Sequence, residues 1–145
     1  MLTTPFRALG LMAALAFPLA ACQTPAAIVQ APAVMAGKSF MVFFDLGKAS
    51  LTARAKGVVM DAAASAKTTQ HTVLEVNGHA DTVGSAKANA ALSMRRAQTV
   101  AAALVKAGVP KNEIGIKAFG ETALLVPTGD NVREPQNRRV EIIIR

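Results

Sequence analysis

Residues 76–100, VNGHADTVGSAKANAALSMRRAQTV, hold a strand end, a loop and a helix in that order. The extended run stops at Gly78-His79-Ala80-Asp81, and small residues follow. A helical pattern then carries Asn89, Leu92, Ser93, Arg95 and Arg96. A carboxylate at a strand end and a guanidinium on the next helix can hold the two ends of one zwitterion, so the stretch outlines a binding site. Asn89, Leu92, Arg96 and Val100 recur at i, i+3, i+7 and i+11, which places them on one stripe and separates Arg96 from Arg95. For a helix begun near Ala88, Arg96 stands ~12 Å along the axis at about 1.5 Å per residue. Its side chain leans back toward the helix start, and the loop 82–87 must fold beside the helix for Asp81 and Arg96 to meet.

The same reading extends outward. Ser39 to Phe44 is short, apolar and rich in Phe, a buried strand ended by Asp45-Leu46-Gly47. Thr52 is placed to cap a first helix, whose buried face is Ala55, Val58, Val59, Ala62, Ala63 and Ala66. Thr72 to Val76 alternates as a second strand. Ala88 to Ala107 is the second helix, with Ala97, Val100, Ala101, Leu104 and Val105 as its core face; Gly108 ends it and Pro110 prevents its return. Ile114, Ile116 and Ala118 alternate as a third strand, stopped by Gly120. A loop, 121–136, carries Pro127, Gly129 and Pro135, and Arg139 to Ile144 is too apolar for an exposed edge strand. The order βαβαβ-β predicts an α+β fold: a two-layer α/β sandwich with both helices on one face of a mixed four-stranded sheet.

Residues 1–21 read as an address. Arg7 is the only charge before the apolar run Ala8 to Ala21, which Pro18 interrupts and which is too short for a spanning helix of ~20 residues. Leu19-Ala20-Ala21-Cys22 resembles the lipobox of bacterial lipoproteins. That resemblance implies cleavage before Cys22, a lipidated sulfur and an acylated N-terminus, palmitate being among the acyl groups implied. Each buried CH₂ contributes ~0.8 kcal/mol, and more than one chain is needed for firm anchoring. Cys22 is the chain's single cysteine, so an exported protein has no internal disulfide and its core must hold unaided. Residues 22–37 are an Ala/Pro-rich tether without charge, and residues 38–145 form one domain. Gln23 stands where the lipoprotein class uses Asp to signal inner-membrane retention, which favours the outer membrane, with the domain in the periplasm.

Removing residues 1–21 takes away Arg7 alone among the charges, leaving 15 Lys and Arg against 9 Asp and Glu, a net +6. A basic domain suits anionic partners. Export argues against nucleic acid, as does the absence of Trp and Tyr and of Phe interleaved with Arg for base stacking.

GHADTVGSAKANAALSMRRAQTV resembles the signature of the OmpA-like (OmpA–MotB C-terminal, Pal-type) peptidoglycan-binding domain. FFDLGKASLT, Phe119-Gly120-Glu121 and PTGDNVREPQNRRVEI extend the likeness in order, over essentially Phe40 to Ile144. The resemblance implies binding to the peptide stem of peptidoglycan through meso-diaminopimelate. It assigns Asp81 to the ammonium and Arg96 to the carboxylate of that residue's free amino-acid end, which a planar guanidinium fork fits bidentately. It puts Asp45 at the rim, with Thr82, Asn89 and Leu92 alongside. Of Arg138 and Arg139, at most one faces the site, since successive strand residues point opposite ways; Arg139 is the one favoured. Ala80 stands where the family commonly has Thr, and Gly47 where it is often polar.

On the residues alone, Asp81 is equally read as a cap and Arg96 as half of a surface ion pair. His79 with His71 is a poor metal set without Cys nearby, and no metal or cofactor is expected. An enzyme would want paired carboxylates, an activated nucleophile or a metal set; the sequence offers none. The expectation is a non-catalytic tether between outer membrane and cell wall. The alternative is a protein-interaction module of a Tol–Pal-like envelope complex, with Tol-like or outer-membrane proteins as partners.

Overall fold

A computed structural model describes residues 37–69 and 73–145. The signal segment, Cys22, all of the tether but Gly37, and His71 lie outside the described residues. The elements are β1 (Lys38–Phe43), α1 (Ala53–Lys67), β2 (Leu74–His79), α2 (Ala86–Lys106), β3 (Ile114–Gly120) and β4 (Arg139–Ile144). Single 3₁₀ turns, Lys111–Glu113 and Pro135–Asn137, precede β3 and β4.

Side-chain caps decide where the helices begin. Thr52 Oγ1 accepts from the Ala55 amide at 3.1 Å and opens α1 as expected. Ser85 Oγ accepts from the Ala88 amide at 3.2 Å, so α2 starts at Ala86 rather than Ala88. β2 also runs beyond Val76 to His79, because Asn77 pairs with Glu141 on one side and Lys117 on the other.

The strands lie in the order β1-β4-β2-β3. β4 is antiparallel to both neighbours, and β2 and β3 are parallel, joined through α2. The apolar run of β4 is thus explained by its place inside the sheet. Both helices cover one face, α1 over β1 and α2 over β2 and β3. Val42, Leu74, Val76, Val140 and Ile142 meet Val59, Ala62, Val100 and Leu104 in the core between the layers. Burying each large aliphatic side chain contributes ~1.5–3 kcal/mol. Val105 does not join that core. It is 40% exposed, since it stands ~100° round the helix from Leu104, which takes the sheet-facing direction. Ile116 is 39% exposed because β3 is an edge strand.

Two glycines set how closely the layers approach. A Cβ on Gly78 would collide with the Ser93 carbonyl oxygen and lie 3.2 Å from Ala97 Cβ. Gly120, at φ +55°, has the backbone of Ala90 at 3.1 Å from where its Cβ would stand. Between them Ser93 Oγ accepts from the Gly120 amide at 3.0 Å and donates to the Ala90 carbonyl at 2.8 Å. α2 therefore lies directly on the ends of β2 and β3.

Gly78→Ala is expected to lower the stability to urea unfolding by about 2 kcal/mol or more, since the obstacle is backbone. Gly57→Ala, in the middle of α1 with nothing within 4 Å of the new Cβ, is expected to raise it by about 0.5–1 kcal/mol. A Gly78→Ala chain with an unchanged urea midpoint would contradict the close approach.

Candidate functional site

The ends of β1 and β2, the middle of α2 and the loop before β4 converge on Asp81 and Arg96. Because α2 folds back across Gly78, Arg96 lies beside the end of β2 although it is eleven residues into its helix. Its side chain is 0% exposed. Nε donates to the Lys48 carbonyl at 2.9 Å, Nη1 to the His79 carbonyl at 3.0 Å and Nη2 to the Asp45 carbonyl at 3.1 Å. The Phe44 ring lies 5.3 Å from its Cζ, within range of a cation–π contact. A guanidinium has five N–H donors; these three bonds leave one on each Nη.

Carbonyls orient this cation without neutralising it. Burial lowers the Arg96 pKa to about 10, Asp81 opposes that shift, and Arg138 and Arg95 add to it. Arg96 is therefore charged at neutral pH. Asp81 itself is 3% exposed and ion-paired with Arg138, whose Nη1 donates to Oδ2 at 3.2 Å. Arg138 Nε also donates to the Phe44 carbonyl at 3.1 Å. One buried carboxylate thus touches one guanidinium group, Arg138, and feels the charge of a second, Arg96, leaving an excess of positive charge. A hollow of about 300 Å³ opens on the Arg138 side, lined in part by Asp45, Thr52, Gln136 and Arg138; Asp81 and Arg96 lie behind its walls rather than in them.

The remaining expected residues divide. Asp45 is exposed at the rim, 3.8 Å from Lys48 Nζ, and its carbonyl holds Arg96. Leu92 is half-buried one turn before Arg96. Thr82 spends its hydroxyl on the loop: it donates to the Gly129 carbonyl at 2.7 Å and accepts from the Val132 amide at 3.0 Å. Asn89 is buried and donates to Glu121 Oε2 at 2.6 Å, so its amide steadies the turn after β3. Arg139 needs correction. Val140, Ile142 and Ile144 point into the core, so Arg139 faces the opposite side of the sheet with Glu141, whose Oε1 lies 2.8 Å from its Nε and 2.6 Å from its Nη2. Arg138, still in the 3₁₀ turn's cap, is the arginine at Asp81.

Sequence reasoning also passed over Asn137, which is fully buried. Its Oδ1 accepts from the Leu125 and Val126 amides at 2.8 and 2.9 Å, and its Nδ2 donates to the Val126 carbonyl at 2.8 Å. Asn131, at φ 57°, donates its amide to the Thr82 carbonyl at 2.9 Å. Together they fold the loop 121–138 onto the site, which a run of Pro, Gly and Asn does not announce.

His79 lies on the other face of the sheet. Its Nδ1 is 3.0 Å from the Ala123 carbonyl, which can only accept, so the neutral ring carries its proton there. Nε2 is left as a lone pair 3.7 Å from Glu141 Oε1. The ring stacks on Phe119 at 5.2 Å. Burial and the Arg139 charge hold its pKa below 6.5, against Glu141 and the Ala123 bond. Among the described residues no group of three or more His, Cys, Asp or Glu could hold a metal ion.

The OmpA family model matches residues 43–138, the span containing Asp81, Arg96 and Arg138. An outer membrane protein of Gluconacetobacter diazotrophicus is 48% identical over 113 residues, 74% of this chain and 30% of that protein. The peptidoglycan-associated lipoprotein of Legionella pneumophila is 41% identical over 68 residues, 47% of this chain and 39% of its own length. The matches thus span well under half of these relatives, which are outer membrane proteins and lipoproteins. The crystal structure of the peptidoglycan-associated lipoprotein from Burkholderia pseudomallei superposes with a TM-score of 0.67 at 24% identity, covering 73% of this chain and 90% of that one; the likeness is one of fold. No helix among the described residues is long and apolar enough to cross a membrane.

His79 takes a proton less readily folded than unfolded, where it titrates near 6.5. Its contribution to stability is full above that pH, falls as pH drops below it, and stops falling beneath the folded-state pKa. Urea unfolding between pH 7 and 5 is expected to show that loss, by up to ~1.4 kcal/mol per pH unit. A His79→Gln chain is expected to have a flatter profile, and equal slopes in the two chains would refute the assignment.

Proposed function

The chain belongs to the OmpA family, and on that basis we propose that it is a non-catalytic lipoprotein that binds peptidoglycan and tethers the outer membrane to the cell wall. The ligand group is the free amino-acid end of meso-diaminopimelate in the stem peptide. Asp81 receives its ammonium and Arg96 its carboxylate, with Asp45 at the rim. The observation that carries this reading is the charge balance: one buried carboxylate beside two guanidinium groups, one of them fully buried. An arriving carboxylate compensates the excess positive charge, and an arriving ammonium meets Asp81. Binding of an α-amino acid head group is favoured over either ion alone. Arg138 takes the place first given to Arg139, since it already touches Asp81. The name of the Legionella relative, a peptidoglycan-associated lipoprotein, supports the same ligand.

Cys22 supplies the other attachment in this proposal, through acyl chains in the outer membrane, with the tether 23–37 spanning to a periplasmic domain. A protein-partner role on the diaminopimelate surface remains the alternative, and peptidoglycan fragments competing with a candidate partner would distinguish it.

Co-sedimentation with purified sacculi is expected to fall about tenfold or more for Asp81→Ala and for Arg96→Lys, which keeps the charge and loses the fork. Arg95→Ala is expected to bind normally, since Arg95 is an exposed helical residue. Free meso-diaminopimelate should compete, and a stem peptide with lysine in its place should not, because peptide-bonded lysine has no free carboxylate beside its side-chain ammonium. Undiminished binding by both site variants would sink the proposal. In membrane fractionation, Cys22→Ser is expected to release the chain from the outer membrane and to remove the mass of the acyl groups. A chain that stays membrane-bound without Cys22 would remove the anchor from the proposal.

A further inference from the structure

The helix layer carries an excess of positive charge. Besides the buried Arg96, α1 and α2 bear Arg54, Lys56, Lys67, Lys87, Arg95 and Lys106 against one carboxylate, Asp61. Arg54 and Lys87 occupy first turns, where the helix dipole favours carboxylates, and neither first turn holds one. Lys67 and Lys106 suit the last turns they occupy, so the dipole accounts for only part of this charge.

Two concave grooves flank the C-terminal half of α2. The first, about 760 Å³, runs between α1 and α2; Leu51, Met60 and Ala103 line it with Lys56 and Lys106. The second, about 440 Å³, lies between α2 and β3, lined by Val105, Ile114 and Ile116 with Lys106 and Lys111. Ala102 and Lys106 line both and so form the ridge between them. No carboxylate lines either groove among the described residues. Met60 is 58% exposed at the first.

We propose that this ridge and its two grooves dock an acidic amphipathic segment of another protein. Its apolar side chains enter the grooves while its carboxylates meet Lys56, Lys106 and Lys111, a helix-in-groove mode steered by charge. Concavity decides against an anionic membrane surface, which receives protruding apolar side chains rather than filling hollows. A second copy of this chain would bring its own positive charge to a basic surface. The inference stands apart from peptidoglycan binding, because none of Asp45, Asp81, Arg96 and Arg138 lines either groove.

The test uses the full-length chain in detergent and a synthetic peptide of Glu and Leu at amphipathic helical spacing, with a scrambled peptide of the same composition beside it. Amide shifts are expected at Met60, Ala103, Val105 and Ile116. The double variant Lys56→Glu/Lys106→Glu should weaken the amphipathic peptide about tenfold or more, and Lys87→Glu, the same kind of charge reversal elsewhere on α2, less than about twofold. Equal affinity for the scrambled peptide, equal losses in both variants, or phosphatidylglycerol vesicles bound through these residues in place of the peptide would overturn it. Sacculus binding is expected to persist in the double variant; its loss would overturn the separation of the two surfaces.

Discussion

The near-contact of α2 with β2 at Gly78 is the constraint on which the rest depends. Where a side chain would stand, the Ser93 backbone and Ala97 lie instead, so the helix rests on the strand end. Only at that distance does the Arg96 guanidinium reach the His79 carbonyl, and through it the loop after β1. Gly120 repeats the device at the end of β3, with Ser93 bridging the two. The two-layer packing and the site are thus consequences of one close approach. Small residues on the inner face of α2 are its counterpart in the helix.

Arg96 is an uncommon tenant of a protein core, since a buried charge is costly unless compensated. Here the compensation is incomplete by direct contact: three carbonyls, an aromatic face, and a carboxylate already joined to Arg138. A core built for stability alone would have used an apolar residue of similar volume. An arginine held in place by backbone oxygens, with two N–H groups to spare, suits the anionic guest proposed for it better than it suits burial alone. The loop 121–138 completes the arrangement, held by Asn137 and by Thr82 so that Arg138 arrives at Asp81.

The two faces of the sheet have separate tasks. The helix-covered face carries the core and the edge of the Asp81 site. The opposite face carries His79, Arg139 and Glu141, a buried polar group in which the histidine lone pair faces a carboxylate rather than a donor. Burial and the Arg139 charge outweigh that carboxylate and set the sign of its response to acid. The outer surface of the helices is a third region, basic and grooved, and independent of the other two in its residues.

Much of this was legible in the chain itself. The periods of apolar residues located four strands and two helices, and Thr52 marked a cap, because burial and backbone bonding act over a few neighbouring residues. The apolar run of β4 announced an interior strand for the same reason. The stripe Asn89-Leu92-Arg96 separated Arg96 from Arg95, since helical geometry alone decides which neighbours share a face. What needed the tertiary structure was every contact between segments far apart in sequence. The sequence reading favoured Arg139 over Arg138; the phase of β4, set by Val140 in the core, turns Arg139 to the other face and leaves Arg138 at Asp81. It made Asn89 and Thr82 candidates for a ligand, whereas Glu121 and the loop 128–132 claim them. It left a gap between Asp81 and Arg96; the folding of α2 over Gly78 brings Arg96 to the His79 carbonyl, two residues before Asp81. Local periodicity follows from the covalent chain, whereas partners across the fold follow from packing, and packing is settled only when both layers are in place.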